Sequence, residues 1–141
     1  MRSRLLPAPL TGATLLIGLA SCGGPTPRKA ADARDRAAST AASAVMVAAA
    51  WDSGAAPGIY ASHATGEMSA SLWKADSAPA WSALPDSTAA AIHASLRVLG
   101  TTAAKLDSAI DQEDRPGATR LRTSLEQRGR ELSAIPIDTT P

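Results

Sequence analysis

The chain has 141 residues, a formal net charge of +1 and a single cysteine. That length suits one domain, the lone cysteine excludes an internal disulfide framework and a multi-cysteine zinc site, and the near-neutral charge gives no reason to expect nucleic-acid binding. The 45% hydrophobic fraction overstates the core-forming material, because 32 of those residues are alanine and none is phenylalanine.

Arg2 and Arg4 open the chain, and no charged residue follows from Leu5 to Ala20. The denser apolar run, Leu10–Ala20, has 11 residues. As a helix it would span about 16 Å, half of a bilayer core. It is too short for a transmembrane helix and has the proportions of a secretory signal. The run ends in Leu19-Ala20-Ser21-Cys22, with leucine three positions before the cysteine and small residues between. This segment resembles the lipobox of bacterial lipoproteins. The resemblance implies that residues 1–21 are removed as a signal peptide and that the Cys22 sulfur carries a diacylglyceryl group, with the new amino group acylated as well. The membrane is then a partner through Cys22. Glycine rather than aspartate at position 23 favours the periplasmic face of the outer membrane. The resemblance covers residues 1–22 alone.

Cleavage before Cys22 leaves 120 residues, with 12 Lys+Arg against 13 Asp+Glu, a net charge of −1. Leucine, isoleucine and valine together number 16 of those 120. So few large aliphatics occur in disordered chains, but those usually carry high net charge. Alanine is the strongest helix former. The composition therefore predicts an all-α fold with a thin core, an antiparallel bundle of three to four helices, with a disordered tether as the alternative. Residues 22–27 read as the lipidated cysteine and linker, 28–135 as the helical domain and 136–141 as a tail.

In the first helix Thr26 suits the N-cap and Pro27 the first helical position, with Gly54 as the stop. Ala37, Ala41, Ala44, Ala48 and Trp51 form the inward stripe, Val45 lies beside it, and Arg28/Asp32 and Asp32/Arg36 are spaced for ion pairs. The second helix opens near Pro57 and ends by Pro79, with Tyr60, Ala64, Met68, Leu72 and Ala75 on one face. Gly66 weakens it by about 1 kcal/mol relative to alanine. Pro79–Pro85 is a connector carrying Trp81 and Leu84. The third helix starts at Pro85-Asp86 and carries the clearest seam: Ile92, Leu96, Leu99, Ala103, Leu106 and Ile110, in alternating steps of four and three. Arg115-Pro116-Gly117 reads as the break. The fourth helix then presents Ala118, Leu121, Leu125, Leu132 and Ile135, with Arg128 or Gly129 at the missing step. Gly129 would allow close helix contact, and Pro136 ends the helix.

A short connection makes the third and fourth helices antiparallel. Lys105–Asp114 sums to −3 and Arg115–Arg130 to +4, so folding the hairpin is expected to bring the two blocks together. Solvated ion pairs are the simpler use of these charges, and contacts from surplus arginines to phosphate headgroups the sharper one. In an up-down bundle Trp73 and Trp81 fall at the end nearest the anchor, either plugging the bundle end or resting on headgroups.

No catalytic constellation emerges. His63 and Glu67 share a helical face, and His93 is the only other imidazole. They fall short of the three or four ligands a zinc site needs, although Met46 or Met68 could add a copper(I) ligand. They read more simply as polar boundary residues, and no cofactor is expected. The chain has no haem-attachment, phosphate-loop, nucleophile-elbow or zinc-protease motif. The expectation is a non-enzymatic structural or adaptor protein of the envelope with a protein partner. The alternative is a helical module binding lipid, haem or metal in the periplasm.

Overall fold

The computed structural model describes residues 23–140. The signal segment, the lipobox and Cys22 lie outside these residues. Four α-helices follow in order, α1 (Pro27–Asp52), α2 (Gly58–Asp76), α3 (Asp86–Asp111) and α4 (Arg115–Ala134), with a short 3-10 helix, Pro79–Ala83, between α2 and α3. Each helix packs antiparallel on the next, and α1 closes the ring on α4. This is the expected all-α antiparallel bundle, with four helices among the described residues. No described helix is long and apolar enough to cross a membrane.

α1 begins as its sequence dictates. The Thr26 side chain accepts a hydrogen bond from the Lys29 amide at 3.2 Å, and Pro27 occupies the first turn. Its stripe of Ala37, Ala41, Ala44, Ala48 and Trp51 is buried, extended by Ala30. Gly54 stops the helix at a φ of +77°, a left-handed conformation in which a side chain would be strained. Among the described residues, neither Arg28 nor Arg36 pairs with Asp32; Arg34 pairs with Asp35 instead and reaches the Ile135 carbonyl.

The large side chains come from α3 and α4. Ile92, Leu96, Leu99, Leu106 and Ile110 are fully or almost fully buried, as are Leu125 and Leu132. They pack toward the alanine stripe of α1, large against small, which fills the interior without a large residue on every helix. Gly129, not Arg128, occupies the buried step of α4, and a Cβ there would lie 3.5 Å from that of Ala41.

Three further expectations need correction. The inward row of α2 is Ala61, Thr65, Ser69 and Leu72, and Tyr60 is exposed. The hydroxyls can enter the interior because Thr65 donates to the Ala61 carbonyl at 2.8 Å and Ser69 to the Gly100 carbonyl of α3 at 3.0 Å. Second, Arg115-Pro116-Gly117 is the first turn of α4, not the break. Proline is tolerated there because the first amides have no helical acceptor. Asp114 caps the turn by accepting from the Gly117 amide at 2.9 Å, and any Cβ at Gly117 would collide with that carboxylate. The chain reverses over Gln112–Asp114, where Glu113 takes a φ of +56°. A Glu113→Gly substitution should therefore stabilise the protein by about 1 kcal/mol, because glycine adopts that conformation without the Cβ clash; denaturant titration will show it as a higher midpoint.

Third, among the described residues the acids at the end of α3 do not pair with the arginines of α4. Asp107 accepts from Ser62 of α2 at 2.6 Å, and Asp114 serves as the cap. Arg115 and Arg122 instead reach Asp52 of α1, each at 3.6 Å. Arg115 also lies 4.7 Å from the centre of the Trp51 ring and donates to the Asp52 carbonyl at 2.7 Å. The remaining α4 pairs, Arg130–Glu126 and Arg128–Glu131, are internal to that helix.

The tryptophans divide between the two ends. Trp51 closes the end where α1 meets α4. Trp81 is buried and donates to the Ala75 carbonyl at 2.7 Å. Its 3-10 segment lies beside Gly23–Pro25 and Lys29, so Trp81 fills the end from which the linker emerges. Trp73 is half exposed and lies across Gly100.

Candidate functional site

The structure separates the candidate ligands. His63 and Glu67 are exposed on α2 and line one small cleft with Ser62 and Asp107. His93 sits on α3 near the other end, with its Nδ1 2.6 Å from Asp76 Oδ1. Because α2 and α3 run antiparallel, His93 is level with Asp76, 13 residues and about 20 Å along α2 from His63. Among the described residues no group of three or more His, Cys, Asp or Glu could hold a metal ion. Met46 is exposed on α1, while Met68 is part-buried on α2. The lipidation candidate, Cys22, lies outside the described residues.

Asp76 is instead a tie between helices. Burial alone would raise its carboxyl, but hydrogen bonds from His93 and Arg97, with their charges, outweigh that and hold it below its usual 3.8. The tie joins the end of α2 to α3 beside the 3-10 segment. Its contribution to stability is present above that ordinary value and is lost as the pH falls through the lower folded-state value.

The feature that sequence reasoning missed is a groove between α1 and α4, with a volume of about 770 Å³. Ala38, Ala42, Val45, Met46, Leu125 and Gly129 make its apolar surface. Asp35, Glu126 and Arg130 also line it. It exists because the close Ala41–Gly129 contact draws two helices together through small residues. The outer rows above that contact, Ala38 and Ala42 on α1, are too short to fill the valley between the helix axes. Met46 is 72% exposed at its margin. The spacing of Ala38, Ala42, Val45 and Met46 on a second face of α1 was the available signal; an abundance of alanine on every face hid it. The groove offers apolar contact flanked by both signs of charge, which suits recognition of another apolar surface.

No protein-family model, curated protein or solved structure matches this chain.

Proposed function

We propose that this protein is a bacterial envelope lipoprotein, held to a membrane by lipid on Cys22, whose helical bundle is a non-enzymatic structural or adaptor module. The anchor is supported by the charged start, the short apolar run and the Leu19-Ala20-Ser21-Cys22 box, which contains the only cysteine. Two or more acyl chains hold a protein stably, at about 0.8 kcal/mol per buried CH₂, whereas one holds it marginally. The bundle starts at Pro27, with only four residues between it and that cysteine, and Lys29 donates to the carbonyls of Gly23 and Gly24. A linker so short and so tied would keep the bundle against the surface.

The observation that carries the adaptor role is the open apolar groove of α1 and α4, with Met46 beside it. The Cys22→Ala variant should lose incorporation of labelled fatty acid and leave the membrane fraction; retention in the membrane would defeat the anchor. Native mass spectrometry of protein taken from the envelope should give the acylated polypeptide without an added small molecule. A retained lipid, haem or metal ion would favour a ligand-binding module instead.

A further inference from the structure

The charges on the α1–α4 groove select an occupant. Glu126 and Arg130 line one wall and form a 2.9 Å ion pair. They are four residues apart, about 6 Å along the helix. Gly129 is level with Ala41, and the Ile135 carbonyl is level with Arg34. By that register, the middle of the Glu126–Arg130 pair is level with Ala42 on the opposite wall.

Consider a two-fold axis at this level, lying in the groove face and perpendicular to the helices. It sets Glu126 of each copy opposite Arg130 of the other. The two internal pairs then close into a ring of four alternating charges. The same axis sets Met46, four residues to one side of Ala42, over Ala38 of the second copy, four residues to the other side. A methionine side chain is flexible enough to lie against that alanine wall, and the exposed Met46 leaves water in doing so. A two-fold axis running along the helices has no such match, because it sets Glu126 against the Ala44–Val45 level of α1.

The geometry points to a homodimer: a second copy of this chain docks on the groove, α1 against α1 and α4 against α4, each pair antiparallel. The contact is isologous and therefore closed, since the same patch serves both copies. It rests on the reading of the groove as a docking surface and names the partner there as a second copy, but it is independent of the anchor, because the groove belongs to the bundle and not to the lipid.

Sedimentation equilibrium of the full chain, in detergent of matched density, is the test. The wild-type protein should sediment as a dimer. Glu126→Arg sets four basic groups against one another across the axis, and Arg130→Glu sets four acidic ones. Each variant alone should dimerise at least about tenfold more weakly, since like charges facing across an interface are strongly unfavourable. Mixed in equal amounts, the two should recover a mixed dimer, because the basic patch of one meets the acidic patch of the other. Circular dichroism of both variants should match the wild type, as both positions are exposed. The Cys22→Ala chain should dimerise as the wild type does. A monomeric wild type, with or without a lipid retained in the groove, would overturn the proposal. Single variants that dimerise normally, a mixture that stays monomeric, or loss of the dimer in the Cys22→Ala chain would each do the same.

Discussion

Leu106→Ala should lower the unfolding free energy by about 3 kcal/mol, within the range found for buried leucine truncations. Leu106 is fully buried toward the C-terminal end of the α3 seam, between Ala103 and Ile110. The loss has two parts: the removed methyl groups no longer gain from leaving water, and the neighbours cannot close the gap. The second part is large here because much of the opposing surface is alanine, whose single methyl cannot swing into a void. For a bundle of this size the melting temperature should fall by roughly 10–15 °C. Val98 lies on the same helix but is 43% exposed. Val98→Ala should change stability by less than about 0.5 kcal/mol. Thermal melts of the two variants, followed by circular dichroism, check the contrast, and equal losses would contradict the assignment of the α3 face.

Trp81→Ala should be at least as severe, about 3–5 kcal/mol. The indole is 3% exposed and secures the 3-10 segment to the end of α2 through its bond to the Ala75 carbonyl. The segment in turn packs on α1. Truncation would open the end of the bundle from which the linker leaves. Trp81→Phe keeps most of the apolar bulk and loses the N–H donor. The Ala75 carbonyl retains the Ala78 amide, so the phenylalanine variant should lose only about 1–2 kcal/mol. Chemical denaturation of the pair separates filling from hydrogen bonding, and equal losses would show that the bond to Ala75, rather than the ring's volume, holds this end.

The parts of the fold that were legible in the residues share a cause. The α3 seam is written in leucine and isoleucine, so its period is visible above any background. The ends of α1 are written in Thr26, Pro27 and Gly54, whose backbone preferences act locally. The inward row of α2 was not legible, because Thr65 and Ser69 look polar until their hydroxyls meet the carbonyls of Ala61 and Gly100. The reversal between α3 and α4 was displaced for a similar reason. Pro116 and Gly117 carry strong turn signals, yet the first turn of a helix accepts both, and the residue with positive φ is Glu113. The charge blocks misled because a sum over sequence ignores reach. The Arg115 and Arg122 side chains extend across to Asp52 of α1 rather than back to α3.

The residues alone determined that this chain is helical, where its helices begin and end to within a few positions, and which row of α3 faces inward. These follow from local propensity and from the period of large apolar side chains, which operate over one or two turns. Tertiary structure decided the rest: which face of α2 is buried, which acids receive the arginines, how far His93 stands from His63, and where the surface stays open. The groove belongs to this second group. An alanine reads the same in sequence whether it lines the interior or a valley, and only the packing of Ala41 on Gly129 separates the two.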